Sequence, residues 1–79
     1  MFFGMHRGRY NQPMNILLNG QSFEVPGEIT LAELVRLRRI ETPAYAVERN
    51  KEVVGRRELA TTPIKENDRI EIVVAVGGG

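Results

Sequence analysis

The run Arg69-Ile-Glu-Ile-Val-Val-Ala-Val-Gly-Gly-Gly79 decides how the rest of the chain is read. Its first eight residues alternate. Ile70, Ile72, Val74 and Val76 share one side of an extended segment, and Arg69, Glu71, Val73 and Ala75 share the other. β-Branched residues fill the first set, which predicts a strand over residues 69–76 lying centrally in its sheet, with that side against a core. Three glycines follow. They have no side chain to bury and lose the most entropy on ordering, so residues 77–79 read as a flexible tail.

Working outward, Lys65-Glu66-Asn67-Asp68 is a polar turn into that strand. Residues 56–64 form a connection, with a single helical turn expected around Glu58–Ala60. Ala44–Glu48 and Val53-Val54 are short strands on either side of the turn Arg49-Asn50-Lys51-Glu52, and Gly55 breaks the second. The one convincing helix begins after Thr30, which forms a capping box with Glu33, while Ile29 and Leu34 have the spacing of a hydrophobic staple. Leu31, Leu34 and Val35 form its apolar stripe, with Leu37 at the margin. Arg36, Arg38 and Arg39 complement the dipole at its C-terminal end, and Thr42-Pro43 is expected to stop it. Earlier still, Met14–Asn19 and Gln21–Val25 flank Asn19-Gly20, the strongest short hairpin signal. Met14, Ile16, Leu18, Phe23 and Val25 then share a face, and Pro26-Gly27 ends the hairpin. The order of hairpin, helix, then two or three strands predicts an α+β domain over residues 14–76, with one helix covering one face of the sheet. Residues 1–13 show no period and end in Pro13; they read as a flexible extension, natural or engineered.

Composition narrows the function. The chain has 79 residues, no cysteine, no tryptophan and a formal net charge of +1. That length holds one domain of marginal stability, on the order of 5 kcal/mol. Without cysteine there are no disulfides, thiolate metal sites or cysteine nucleophile. Near-neutral charge argues against nucleic-acid or membrane-surface partners, and the longest apolar run, residues 72–76, is far too short to span a bilayer. No signal-peptide core is present, because Phe2 and Phe3 are followed by Gly4, His6, Arg7 and Arg9, so a cytoplasmic protein is expected.

A catalytic inventory is missing. The single histidine, His6, lies in the irregular extension, no His/Asp/Glu set has ligand spacing, and no glycine-rich loop precedes Lys-Ser or Lys-Thr. Arg36, Arg38, Arg39, Arg56 and Arg57 lack the interleaved aromatic residues of an RNA platform. The glycine tail remains. A thread without side chains can enter a narrow active-site channel, presenting the carboxylate of Gly79 at its tip. Adenylation by ATP would make that carboxylate electrophilic, and a sulfur nucleophile could then displace the adenylate.

Three segments carry a family resemblance: Met-Asn-Ile-Leu-Leu-Asn-Gly at residues 14–20, Val-Glu-Arg-Asn-Lys-Glu-Val-Val-Gly at 47–55, and Ile-Glu-Ile-Val-Val-Ala-Val-Gly-Gly-Gly at 70–79. Residues 14–79 resemble the ThiS family, the sulfur carrier proteins of thiamine biosynthesis; residues 1–13 have no counterpart. The resemblance implies a β-grasp, ubiquitin-like fold with a mixed sheet of four to five strands. It implies that the chain is a carrier and not an enzyme. A ThiF-type adenylyltransferase using ATP and magnesium would activate Gly79, and sulfur from a cysteine desulfurase persulfide would convert it to a thiocarboxylate. The thiazole synthase ThiG would then take that sulfur. Gly79 would be the modified residue, with Gly77 and Gly78 in the threading segment and no cofactor on this chain. Val73 and Ala75, on the outward register of the last strand, are expected to form a partner-docking surface with Leu17 and Tyr45. Other readings are a carrier for molybdopterin or cysteine synthesis, a ubiquitin-like protein modifier, and a non-catalytic β-grasp module, with RNA as one ligand.

Overall fold

The computed structural model describes residues 12–75. Its elements are β1 (Met14–Leu18), β2 (Gln21–Val25), α1 (Leu31–Leu37), β3 (Tyr45–Arg49), β4 (Glu52–Val54), a 3-10 helix (Arg56–Thr61) and β5 (Arg69–Val74). The strands form one five-stranded sheet in the order β2-β1-β5-β3-β4. β1 and β5 run parallel and every other pair antiparallel, so the sheet is mixed and its last strand is central.

Both hairpins close through two residues with positive φ, as a type I′ turn requires: Asn19 (50°) with Gly20 (82°), and Asn50 (52°) with Lys51 (74°). The second turn pairs Arg49 with Glu52, so β3 runs to Arg49 and β4 starts at Glu52. The expected helical turn is a 3-10 helix spanning Arg56–Thr61. Within the described residues β5 ends at Val74, and Val76 lies outside them.

Helix α1 starts as expected. The Thr30 hydroxyl accepts from the Glu33 N–H (3.2 Å), and the Glu33 carboxylate accepts from the Thr30 N–H (2.9 Å). It ends earlier than the Thr42-Pro43 signal predicts. Arg39 adopts φ 57°, its N–H donates to the Arg36 carbonyl (3.0 Å), and the Ile40 N–H donates to the Val35 carbonyl (3.3 Å). That is a Schellman motif with arginine where glycine is usual.

One face of the sheet and the helix enclose the core: Ile16, Leu18, Val25, Leu31, Leu34, Val35, Val47, Leu59, Ile64, Ile70 and Ile72. The register of each strand follows from which residues this core accepts. At the entry end of β5, a buried carboxylate ties the connections together. Asp68 accepts from Arg49 Nε (2.7 Å), the Lys65 N–H (2.8 Å) and Asn50 Nδ2 (3.1 Å). Burial pushes its carboxyl pKa up, but these hydrogen bonds and the Arg49 charge outweigh that and hold it below the usual aspartate value.

Replacing Asp68 with Ala leaves Arg49 and a backbone N–H without their acceptor and is expected to lower unfolding free energy by about 2–4 kcal/mol in urea titrations. Because the folded-state pKa is lowered, the Asp68 contribution is complete at neutral pH. It declines as pH falls below about 4, and pH-dependent unfolding of wild type against Asp68→Asn checks this. Arg39→Gly is expected to raise stability by about 0.5–1 kcal/mol, because glycine removes the left-handed strain at the helix end and gives back part of that gain in chain entropy.

Candidate functional site

The site that the sequence singles out is the exit of β5. Val73 stands 55% exposed on the helix-free face, beside Ala46 of β3, and Ala75 follows, also exposed. The pairing with β3 continues past the end of the strand, since the Ala75 N–H donates to the Ala44 carbonyl (2.9 Å). Gly77, Gly78 and Gly79 lie outside the described residues.

The two further docking residues fall elsewhere. Leu17 is on the same face but pairs with Arg69, at the entry end of β5, so about 13 Å of strand separates it from Val73. Tyr45 is on the opposite face. It shares the register of buried Val47, pairs with Val74 and packs half-buried against the core. The expectation that Tyr45 joins the Val73 surface is therefore corrected. Its face follows from alternation within β3, which puts Tyr45 on the side of Val47, and Val47 is buried in the core. Tyr45 is braced there by Arg56, whose guanidinium lies 4.2 Å from the ring centroid and donates to the carbonyls of Pro43 (2.7 Å) and Tyr45 (2.8 Å).

A residue absent from the sequence-based set belongs on the outer face. Val53 of β4 is 71% exposed and pairs with Glu48, whose other neighbour is Glu71 of β5. A two-residue loop at Asn50-Lys51 fixes Val53 opposite Glu48, and Glu48 faces outward because Val47 faces the core, but lysine at the second loop position gives no sequence signal for that turn. The outer face thus presents Val73, Ala75, Ala46 and Val53 around two facing carboxylates, with Val74 emerging 39% exposed on the other side of the exit. Apolar groups therefore surround the strand where it leaves the sheet, a pattern of surfaces that bind partners.

Among the described residues, no group of three or more His, Asp or Glu side chains is placed to hold a metal ion. Two surface depressions, one against Pro13, Met14 and Ile64 and another against Ile29, Arg36 and Leu37, lie away from the exit of β5. No described helix is long and apolar enough to cross a membrane.

Known proteins share this arrangement. The crystal structure of a thiamine biosynthesis protein, ThiS, from Geobacter metallireducens superposes with a TM-score of 0.72 at 30% identity, covering 84% of this chain and all of that one. The chain is 38% identical over 66 residues to a thiazole synthase of Magnetococcus marinus, and 30% identical over 66 residues to one of Paramagnetospirillum magneticum. It spans 84% of its own length in both alignments but only 20% of theirs. The sequence profile of the ThiS family matches residues 16–79, from the first core residue of β1 through the glycine triplet. With a mixed β-grasp sheet, one capped helix and a central last strand leading into those glycines, this chain belongs to the ThiS family.

Proposed function

We propose that the chain is the sulfur carrier for thiazole formation in thiamine biosynthesis, with the sulfur carried on the carboxyl group of Gly79. The observation that carries this reading is the ThiS-family match running through the glycines that follow a central, well-anchored strand. The likeness to thiazole synthases favours the thiazole pathway over molybdopterin or cysteine synthesis.

The chemistry is divided between carrier and partners. A carboxylate is a poor electrophile, and a ThiF-type adenylyltransferase overcomes this by transferring AMP from magnesium-bound ATP to Gly79, releasing pyrophosphate. The outer sulfur of a desulfurase-derived persulfide then attacks the acyl carbon and displaces AMP, and a thiol cleaves the resulting acyl disulfide, itself ending in a disulfide and leaving the thiocarboxylate that the thiazole synthase ThiG consumes. The carrier contributes no acid, base or cofactor. It contributes a handle, the domain, and a thread, Gly77–Gly79, whose lack of side chains suits a narrow channel and whose backbone can follow the path the channel sets. The apolar surface at the β5 exit, centred on Val73 and Ala75, is where the handle docks. Such a surface gains most from desolvation when it is central to the contact.

Incubation with an adenylyltransferase of this type, ATP, magnesium and a sulfur donor is expected to exchange one carboxyl oxygen of Gly79 for sulfur, read by intact-mass and fragment mass spectrometry. Deleting Gly78 and Gly79 is expected to abolish the exchange with the fold intact by circular dichroism; sulfur uptake by the truncated chain would refute the assignment. High-mass conjugates would identify a protein modifier instead. Val73→Glu is expected to raise the KM for adenylation about tenfold with melting temperature unchanged, since it places a charge in the docking surface. Unaltered activation kinetics in that variant would remove Val73 from the interface.

A further inference from the structure

The two neighbours of β5 do not support it equally. On the β3 side, pairing runs from Asn50 opposite Arg69 to Ala44 opposite Ala75. On the β1 side, the strand pairs only at Leu17 with Arg69 and Leu18 with Ile70, because β1 turns away at Asn19. The last backbone bond there is from the Asn19 N–H to the Ile70 carbonyl (2.9 Å). Beyond that point the Asn19 side chain replaces the missing strand. Its Oδ1 accepts from the Ile72 N–H (2.8 Å) and its Nδ2 donates to the Ile72 carbonyl (3.3 Å). A primary amide presents a donor beside an acceptor, as successive peptide groups on a strand edge do, so this side chain adds one rung to the ladder.

We propose that Asn19 is a positioning residue for the tail: by holding both backbone groups of Ile72, it fixes the direction in which the chain leaves the sheet toward Gly79. The inference rests on the reading of Gly79 as the activated group. Ala75, the last residue bonded to β3, lies three residues or about 10 Å beyond Ile72. A swing of about 10° at Ile72 shifts that departure point by about 2 Å, and a displacement of about 1 Å caused by a change far from the chemistry is enough to lower a rate about a hundredfold. The turn alone does not require this side chain. Positive φ at the first turn position is also open to glycine and aspartate, and neither offers both a donor and an acceptor to Ile72.

Asn19→Gly keeps the turn and removes the amide, whereas Asn19→Asp keeps an acceptor for the Ile72 N–H and loses the donor. In Asn19→Gly, amide hydrogen exchange at Ile72 is expected to accelerate about tenfold or more, with Ile70 unchanged. The kcat for adenylation, followed by pyrophosphate release, is expected to fall about tenfold with KM within about twofold. Asn19→Asp should give intermediate values for both. Leu59→Val, a core change in the 3-10 helix, is the control for stability loss and should leave kcat unaltered. An unchanged kcat in Asn19→Gly, or an equal fall in Leu59→Val, would overturn the positioning role. Failure of the unaltered chain to accept AMP would refute the proposed function itself, a result distinct from any difference between variants.

Discussion

A central strand must satisfy its backbone groups on both edges, and the short neighbours of this sheet leave rungs incomplete. Side chains complete them. Asn50, just past the end of β3, accepts the Arg69 N–H at the start of β5 through Oδ1 (2.9 Å), while its own N–H donates to the Arg69 carbonyl (2.7 Å). Asn19 does the same service for Ile72, where β1 has ended. On the far side of β3, β4 stops at Val54, and the Arg56 guanidinium supplies the donor for the Tyr45 carbonyl. Each of these residues stands at or just beyond a strand end, so a sheet of strands of three to six residues keeps its central members bonded.

That device explains which parts of the fold were legible in the sequence. Asn19-Gly20 is a strong hairpin signal because both residues tolerate positive φ, and the capping box at Thr30 and Glu33 is a local pattern with a local cause. Alternation in residues 69–75 correctly placed Val73 and Ala75 outward. Asn50-Lys51 is harder, because lysine at φ 74° has no composition signal; only the Asp68 and Arg69 contacts, formed across a separation of 18 or 19 residues, hold that turn in place. The face of Tyr45 is a separate question: alternation groups it with Val47, and that side turns inward only because Val47 packs opposite Ile72 in the core. The end of α1 is hidden for the same reason as the Asn50-Lys51 turn: Arg39 takes a glycine-like conformation that the Schellman bonds and the burial of neighbouring Ile40 enforce.

The two faces of the sheet differ in how much apolar surface they cover. The inner face supplies six of the eleven core residues, and Met14, Phe23, Tyr45 and Val54 pack partly buried against them. On the outer face, Val73 and Val53 stay in water and Glu48 faces Glu71 across the ladder, a like-charge pairing that opposes folding. A domain selected for stability alone has little reason to keep that pattern, whereas a surface that meets partners does. The entry end of β5 is the contrast: it is polar, ion-paired and tied by Asp68 to the segments around it.

The placement of the amines has a chemical consequence. The eleven basic residues include two lysines, Lys51 and Lys65, and nine arginines, whose guanidinium groups stay protonated and do not attack acyl groups. Lys51 lies in the β3–β4 turn and Lys65 donates its backbone N–H to Asp68, so both belong to the entry end of β5. The six residues of β5 put about 20 Å between that end and the exit. With no thiol anywhere in the chain and both lysines at the entry end, neither a thiol nor a lysine amine stands at the exit of β5 among the described residues, so an acyl group formed beyond that exit, as proposed, would find neither beside it.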